Sequence, residues 1–281
     1  MVAAATGGDV ESAIAVRGGD TAAAFRVDLR DGRRYFAKTH ASPPAGFFTT
    51  EAASLRWLAE SGAVRVPEVI AASDGDATAP GGFLVLEWID VGTDPPDEEA
   101  FGRSLAALHQ AGAPSFGRED QRTTGSLGLP NHPCDSWAEF VATCRFEPLA
   151  AIALERGALP MEMIENLDAL AASLDRFDDG SPPARLHGDL WAGNRLIDRT
   201  GASWLIDPAA HGGHREFDLA MMLLFGGFGT GVFDAYQEVA PLADGWRERI
   251  ELHQIAPLVV HAIKFGGHYV SAADRSIRRY L

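Results

Sequence analysis

The spacing of apolar positions changes along the chain from a strand-like pattern to a helical one. Four short segments near the start have strand-like character, namely residues 22–29, 33–39, 66–70 and 82–89. Asp31-Gly32 separates the first two and favours a tight hairpin turn. Residues 47–62 have the spacing of a helix that ends at Gly62. The pattern predicts a small β-rich lobe that contains one helix.

Helical spacing dominates the rest of the chain. Phe101, Leu105 and Leu108 fall at i, i+4 and i+7, and similar patterns begin at Trp137 and Ile164. From Glu216 onward the pattern is helical, with breaks at the glycine pairs 226–227 and 266–267. Residues 195–198 and 203–206 interrupt this region and are typical of a second hairpin. A larger, mostly helical lobe is therefore expected to follow the first.

Composition narrows the choice of partner. A chain of 281 residues suits one large domain or two lobes. The net charge of −15 disfavours nucleic acid as a partner, because phosphate backbones repel an acidic surface. No apolar run reaches the roughly 20 residues that span a bilayer, and the start lacks the features of a secretory signal. A cytoplasmic protein is expected, without a membrane partner.

The two cysteines, Cys134 and Cys144, are expected within one helical stretch. Neither their number nor their spacing indicates a disulfide framework or a zinc site, so reduced thiols are expected. Five scattered histidines are interpreted as structural rather than as metal ligands: His109, His132, His253, His261 and His268.

The strongest chemical motif runs from His187 to Asn194. Asp189 precedes Asn194 by five residues, which is the spacing of the protein-kinase catalytic loop. In that arrangement the aspartate orients the attacking hydroxyl and the asparagine oxygen binds Mg²⁺. A loop that only caps the next element is the alternative interpretation.

Three more residues fit the same chemistry in the required chain order. Asp207 follows the second hairpin, where kinases place their other magnesium ligand. Lys38 ends a predicted strand, and Glu51 shares the apolar face of the next helix, which is costly unless the carboxylate is paired. A Lys38–Glu51 pair that contacts ATP phosphates explains both positions. The alternatives are an Asp-Pro turn, a lysine with its charge in solvent and a glutamate near a helix start.

The remaining nucleotide contacts are predicted from position. Gly18 and Gly19 precede the Lys38 strand and can bring backbone N–H groups close to phosphates, although a plain turn is the alternative. Glu87, Trp88 and Ile89 lie where the two lobes join, so their backbone groups can contact adenine; an ordinary buried strand explains them equally well.

Two residues have predicted supporting roles. Asp218, at the start of a helix, can accept backbone N–H bonds from the catalytic loop and keep it rigid, or it can simply cap the helix. His187, which begins the loop motif, is expected to have a supporting structural role like that of Asp218. Together these features predict an α+β, two-lobed protein-kinase-like fold. Residues 1–88 form the nucleotide-phosphate lobe, and residues 89–281 hold the catalytic loop and the acceptor.

In these motifs the chain resembles the fructosamine (ketosamine) kinases, a family within the aminoglycoside- and choline-kinase-like group. The resemblance rests on His187-Gly-Asp-Leu-Trp-Ala-Gly-Asn194, on Leu205-Ile-Asp-Pro-Ala209 and on Gly213-His-Arg-Glu-Phe-Asp-Leu-Ala-Met221. It continues through residues 224–228 and 265–269. The Trp191 form of the loop is the most specific feature, and the resemblance spans nearly the whole chain.

The resemblance implies ATP- and Mg²⁺-dependent phosphorylation of the third-carbon hydroxyl of a ketoamine sugar. Such adducts form when sugars react with amines, and their phosphorylation is associated with deglycation. By position, Asp189 is the base, Asn194 and Asp207 bind magnesium, and Lys38 contacts phosphate. Trp191 lines the sugar pocket.

The resemblance has two departures. Ala210-His211-Gly212 stands where members of the family commonly have aromatic residues, so His211 is placed on the acceptor side. The segment with Gly18 and Gly19 lacks the cysteine of some relatives, which predicts no redox control there.

Two other functions remain open from the sequence. One is a kinase of the same fold that acts on an aminoglycoside, choline or another sugar. The other is a nucleotide-binding scaffold without catalysis, against which the presence of Lys38, Asp189, Asn194 and Asp207 argues. A monomer is expected.

Overall fold

The computed structural model describes residues 1–16, 22–76, 81–119 and 127–281. The described chain divides into two compact units. The first comprises described residues of 1–97 together with 193–209, and the second comprises described residues of 98–192 and 210–281. The hairpin predicted within the helical region thus packs with the β-rich first unit.

The first unit is built on an antiparallel sheet whose strand order is β1-β2-β3-β5-β4. Its elements are α1 (Val2–Thr6), β1 (Val10–Val16), β2 (Ala23–Leu29), β3 (Arg34–His40), α2 (Phe47–Ala59), β4 (Val69–Ser73) and β5 (Gly82–Glu87). The hairpin predicted around Asp31-Gly32 is present as β2 and β3, with Gly32 at φ 88°. β4 begins three residues later than expected because Pro67, inside the predicted strand, has no N–H to donate to a ladder.

Helix α2 covers one face of this sheet. Phe48 and Leu55, both with no exposed surface, pack in one cluster with Leu84 and Leu86 of β5. Burial of side chains of this size stabilises a fold by about 1.5–3 kcal/mol each. The same helix face carries Glu51, which is therefore drawn into the interior of the first unit.

A second hairpin completes the first unit. It consists of β7 (Arg195–Ile197) and β8 (Ser203–Leu205). The Leu205 N–H donates to the Arg65 carbonyl at 2.8 Å, and the Gly92 N–H donates to the Ile197 carbonyl at 2.9 Å. A Cβ on Gly92 would lie 2.6 Å from the Arg199 Cα, so only glycine fits this close approach. The hairpin thereby fixes the backbone that leads into Asp207.

The second unit is mostly helical. Its α-helices are α3 (Glu98–Gln110), α4 (Trp137–Val141), α5 (Glu147–Arg156), α6 (Met161–Ala171), α7 (Glu216–Phe225), α8 (Thr230–Val239), α9 (Trp246–Phe265) and α10 (His268–Arg279). A π-helical turn, Ala142–Phe146, joins α4 to α5. The largest core cluster lies here, with leucines such as Leu149, Leu167 and Leu170 fully buried.

Two three-residue strands, β6 (Ala184–Leu186) and β9 (His211–Gly213), pair antiparallel in the second unit. The sequence pattern missed both, because three residues are too few to show an alternation. β6 leads directly into the His187 loop. The α+β class matches the prediction, and no helix in the described ranges has both the length and the apolar character needed to cross a membrane.

Candidate active site

Lys38 lies between two carboxylates in the first unit. Its Nζ is 2.8 Å from Glu51 Oε1 and 2.5 Å from Asp207 Oδ1. Lys38 and Glu51 are 5% and 7% exposed, so both charges are largely removed from water. Burial would lower the pKa of the Lys38 ammonium, but the two carboxylates outweigh it and raise that pKa above its usual value. The lysine is a fixed cation at neutral pH.

The positions of Lys38 on its strand and of Glu51 on its helix explain this contact. Lys38 is on β3, opposite Leu84 of β5, and Glu51 is one turn N-terminal to Leu55 on the buried face of α2. A glutamate there is costly without a partner, and Lys38 supplies the partner. The Lys38–Glu51 contact expected from the sequence is therefore present.

Asp207 has an unusual backbone. Its φ of 53° lies in the left-handed region, and among the described residues it is alone in this respect apart from glycines. An aspartate in this conformation costs free energy, and such strain clusters at functional sites. The conformation follows immediately after β8, where the Ile206 N–H donates to the Asn194 carbonyl at 3.0 Å.

Asn194 is buried beside Asp207 in the same unit. Its Nδ2 donates to the Asp207 carbonyl at 3.5 Å, so its Oδ1 is the atom that can ligate a cation. An amide oxygen and a carboxylate are hard oxygen donors, the kind that Mg²⁺ prefers. The structure thus brings together Lys38, Glu51, Asn194 and Asp207.

The predicted adenine contacts lie at the end of β5. The Glu87 N–H already donates to the Glu68 carbonyl at 2.9 Å, and the Glu87 carboxylate accepts the Glu68 N–H at 3.1 Å. Trp88 Nε1 donates to Asp90 Oδ1 at 3.2 Å. In the described ranges the Ile89 N–H has no hydrogen-bond partner, so it is the amide donor of this segment that a purine nitrogen could use. The Glu87, Trp88 and Ile89 assignments stay predictions.

The second unit holds residues 187–192, the part of the predicted catalytic loop that carries Asp189. Asp218, with no exposed surface, accepts the His187 N–H at 2.8 Å and the Gly188 N–H at 2.9 Å. The Asp189 N–H donates to His187 Nδ1 at 3.3 Å, and Gly188 adopts a φ of 80°. The loop backbone that carries Asp189 is therefore fixed by a buried carboxylate, as expected from the sequence.

Two residues that sequence reasoning had not linked to the loop support Asp218. His109 Nε2 lies 3.2 Å from Asp218 Oδ2, and His109 Nδ1 lies 2.8 Å from the Tyr236 hydroxyl. Burial would raise the pKa of the Asp218 carboxyl, but the hydrogen bond from His109, the nearby His187 ring and the Gly188 N–H lower it. Asp218 therefore stays ionised. His109 is structural, as predicted, but its partner is the anchor of the catalytic loop.

The start of α7 is held by a second ion-pair network. Arg249 donates to Glu216 through two bonds of 2.9 and 2.6 Å, and His253 Nε2 lies 3.4 Å from the same carboxylate. Because Glu216 is two residues before Asp218, this network fixes the helix end from which Asp218 reaches the loop. The sequence offered no signal for Arg249, which is 33 residues further along the chain.

Trp191 and His211, both predicted to contact the acceptor, differ in exposure. Trp191 is 40% exposed and packs edge-on against Phe225 at 6.2 Å, so one face of the indole remains accessible. His211 is 4% exposed and stacks on Phe140 at 5.3 Å. It lines a small cavity with Arg145 and Phe217. An acceptor could touch His211 only from that cavity, and its role stays a prediction.

Gly18 and Gly19, predicted to approach the phosphates, lie outside the described residues.

Comparisons with known proteins agree with this arrangement. The sequence profile described as fructosamine kinase matches residues 2–281. A probable ketoamine kinase of Lactiplantibacillus plantarum is 36% identical over 275 residues, which cover 97% of this chain and 95% of that protein. A probable ketoamine kinase of Enterococcus faecium is 34% identical over 269 residues, covering 95% and 94%.

Solved structures show the same similarity. A crystal structure from Thermobifida fusca, of a protein assigned as a fructosamine-3-kinase, has a TM-score of 0.89 and 41% identity, and the match covers 99% of this chain and 96% of that one. An aminoglycoside phosphotransferase in complex with ADP and hygromycin B has a TM-score of 0.61 at 14% identity, with coverage of 96% and 93%. The second likeness shows the fold alone, and it confirms the protein-kinase-like class. With a family profile that spans residues 2–281, the chain belongs to the fructosamine kinase family.

Proposed function

We propose that this protein transfers the γ-phosphoryl group of ATP to the third-carbon hydroxyl of ketoamine sugars such as fructosamine and ribulosamine adducts. The observation that supports the kinase chemistry best is the placement of Lys38 Nζ between Glu51 and Asp207, with Asn194 beside Asp207. That set holds a cation for phosphates and hard oxygen donors for a metal within one unit. The ketoamine class follows from membership of the family and from relatives named as ketoamine kinases.

Lys38 has the role of phosphate contact. Glu51 keeps the ammonium in place on β3, and the fixed positive charge stabilises the charge that develops on the transferred group. Asp207 also forms an ion pair with Lys38. A cation bound at Asp207 would compete with Lys38 for this carboxylate, and the Lys38 ammonium would then interact more strongly with phosphate oxygens.

Asn194 and Asp207 fit Mg²⁺, because they offer oxygen donors only and sit at the end of a rigid hairpin. An ion held by these two residues would supply positive charge that offsets the negative charge of the phosphates.

Asp189 has the role of catalytic base. Its carboxylate orients the acceptor hydroxyl and accepts its proton as the oxygen attacks phosphorus. Asp218 contributes by holding the peptide groups of His187 and Gly188, so the carboxylate of Asp189 is pre-positioned.

Trp191 is proposed to bind the sugar. Its partly exposed indole offers a flat apolar face to the C–H side of a sugar ring, while Phe225 holds it edge-on. His211 is proposed on the acceptor side as a wall of the neighbouring cavity.

The direct test is ADP release with Mg·ATP and synthetic ribuloselysine or fructoselysine, beside an acceptor-free blank. We expect turnover that depends on the ketoamine and stops when the metal is chelated, and phosphorus NMR of the product should place the phosphate on the third carbon. ATP binding without turnover on any ketoamine would contradict the proposed acceptor, and activity on an aminoglycoside or choline instead would favour the alternative.

Asp189→Asn is the variant that tests the base. It should abolish turnover and retain ATP binding, because the amide keeps the shape but cannot accept the proton. Asp94→Asn is the matched control, since Asp94 is exposed and the change in charge is the same. Turnover retained in Asp189→Asn would remove Asp189 from the mechanism.

Four further properties remain predictions. These are the cytoplasmic location, the monomeric state, a role in deglycation, and the division of tasks between residues 1–88 and 89–281. Size-exclusion chromatography with light scattering tests the oligomeric state.

A further inference from the structure

The structure brings two thiols and an imidazole together in the second unit, and none of the three is among the residues assigned to catalysis. The ligand atoms of His132, Cys134 and Cys144 all lie within 4.8 Å of one another. Cys144 Sγ is 3.5 Å from each ring nitrogen of His132. In a tetrahedral zinc site with Zn–S of about 2.3 Å and Zn–N of about 2.0–2.1 Å, adjacent sulfur and nitrogen ligands are about 3.6 Å apart. The sulfur–nitrogen distance is close to that value, but a sulfur equally far from both nitrogens lies off both lone pairs, so the exposed ring of His132 has to rotate to bring one nitrogen to a shared ion.

The backbone holds the two cysteines independently of their thiols. Cys134 forms a β-bridge with Phe116, with N–H···O distances of 2.8 and 3.2 Å in the two directions. It therefore lies before α4 rather than within it, which corrects the expectation of one helical stretch. Cys144 is in the π-helical turn Ala142–Phe146, where an extra residue changes which side chains face inward. Such turns occur frequently at functional sites.

The thiols make only weak contacts with the residues that the structure describes. Cys134 Sγ is 3.6 Å from the His132 carbonyl and 3.9 Å from Thr143 Oγ1, and within the described ranges no contact of Cys144 Sγ with a hydrogen-bond partner is shorter than 3.5 Å. The two thiols can therefore still act as ligands for a metal ion.

The other candidate cluster, His214, Glu216 and His253, is already satisfied. Arg249 neutralises the Glu216 carboxylate through two short bonds, so a cation there would have to displace a partly buried guanidinium. The thiol cluster is the stronger candidate for a metal.

A buried cation lies next to Cys144 in the chain. Arg145 is 7% exposed and donates to the carbonyls of Pro130 and Cys144 and to Asn131 Oδ1. In the described part of the chain it has no carboxylate partner. Two metal-bound thiolates would place negative sulfur beside this buried guanidinium.

We propose that His132, Cys134 and Cys144 bind one divalent transition-metal ion, with Zn²⁺ as the ion that suits two thiolates and an imidazole best, and with water as the fourth ligand. His132 is exposed, so the ion reaches the site from solvent on that side. Binding displaces one proton from each thiol, and two protons leave for each ion that enters.

A bound ion would join two parts of the second unit. Cys134 is on the segment that pairs with Phe116, and the next residue, Gly117, exchanges hydrogen bonds of 2.7 and 3.0 Å with Gly212 of β9. Cys144 is on the helical layer. The ion therefore cross-links a loop beside β9 to the α4–α5 helix, and it stabilises the folded state by mass action.

The experiment is a titration of the full chain, metal-free and with reduced thiols, with Co²⁺ as a spectroscopic substitute for Zn²⁺. We expect a sulfur-to-cobalt charge-transfer band in the near ultraviolet and intense d–d bands of tetrahedral cobalt, which saturate at one ion per chain. Added Zn²⁺ should displace Co²⁺ and abolish both the charge-transfer band and the d–d bands. Oxygen ligands such as Asn194 and Asp207 give no sulfur band, so the signal reports on the thiol cluster only.

Variants assign the ligands. Cys144→Ser should remove the charge-transfer band, and His132→Ala should weaken Zn²⁺ binding to a competing chromogenic chelator by more than the 10–100-fold typical of a lost outer-shell partner. His132 is exposed, so its replacement leaves the core intact even if Cys144→Ser fails to fold. His268→Ala, another exposed histidine, is the matched control and should bind as the wild type does.

Three results would overturn the proposal. The first is the absence of a sulfur band while thiol titration shows both cysteines reduced. The second is equal affinity in wild type and His132→Ala. The third is an undiminished sulfur-to-cobalt band in Cys144→Ser.

Discussion

The anchor of the catalytic loop can be tested by Asp218→Asn. This carboxylate is fully buried and accepts three charge-assisted hydrogen bonds, from the N–H groups of His187 and Gly188 and from His109. The asparagine amide has the same size as the carboxylate but only one acceptor oxygen, so its NH₂ group must face one of the three donors. The variant therefore leaves at least one buried donor without an acceptor. It also removes the negative charge that strengthens the hydrogen bonds from the remaining donors.

The magnitude follows from these contacts. An unpaired buried donor costs about 1–3 kcal/mol, and breaking a buried charged pair costs about 3–5 kcal/mol. We expect the free energy of unfolding to fall by about 3–5 kcal/mol, a large part of the roughly 5–15 kcal/mol typical of a folded domain. Because the Asp189 backbone loses its support, we also expect kcat to fall by up to about 100-fold with a smaller change in the KM for ATP.

Urea denaturation followed by circular dichroism measures the first effect, and ADP release at saturating ATP measures the second. Asp234→Asn on α8 is the matched control, since Asp234 is exposed in the same unit. Tyr236→Phe is a milder perturbation, which deletes only the hydroxyl bonded to His109 and should cost about 1–2 kcal/mol. If Asp218→Asn unfolds at the wild-type urea concentration with unchanged kcat, the anchoring role is wrong.

Three further predictions concern phosphate contact, acid stability and the sugar. Lys38→Ala should abolish turnover whereas Lys264→Ala, the change at the other lysine of the chain, should leave it intact; equal kinetics in both would remove Lys38 from the mechanism. Burial lowers the pKa of His253 from 6.5 to about 4. As the pH falls below 6.5, the His253 imidazole therefore binds a proton in the unfolded chain before it does so in the folded protein. The free energy of unfolding should fall by up to about 3 kcal/mol as the pH drops from 6.5 toward 4. Glu216, whose pKa is lowered to about 2, adds to the loss below pH 4.5. Urea midpoints that stay constant from pH 7 to 4 would contradict the His253 shift, and midpoints that show no further fall from pH 4.5 to 2 would contradict the Glu216 shift. Trp191→Ala should raise the KM for the ketoamine more than that for ATP, and a selective effect on ATP would place Trp191 elsewhere.

Much of the first unit could be predicted because its signals are local. The turn at Asp31-Gly32 and the periodic face that includes Glu51 are visible within a few residues, and both features are present. The spacing of Asp189 and Asn194 was likewise sufficient to indicate the fold class. The seven-residue strand β1 was not predicted, and the other failures were short or distant. β6 and β9 have three residues each and exist only through pairing with each other.

Contacts over long separations were invisible for the same reason. His109 and Asp218 are 109 residues apart, and no local pattern shows that their side chains meet. The thiol cluster is another example, because the π-helical turn at Cys144 depends on tertiary packing rather than on residue type. The left-handed backbone of Asp207 could not be predicted from the local sequence either, since nothing in the Asp-Pro sequence requires a positive φ.

The burial of Lys38 has a chemical consequence for the protein itself. Unprotonated, accessible amines attack the carbonyl carbon of reducing sugars, and of the 24 lysine and arginine side chains only Lys38 and Lys264 are lysines. Lys38 is 5% exposed and stays protonated between two carboxylates, so it is a poor nucleophile. The side chain on which phosphate transfer is proposed to depend is thus shielded from spontaneous glycation. Side-chain sugar damage to the folded enzyme is expected to concentrate on the exposed Lys264 rather than on Lys38.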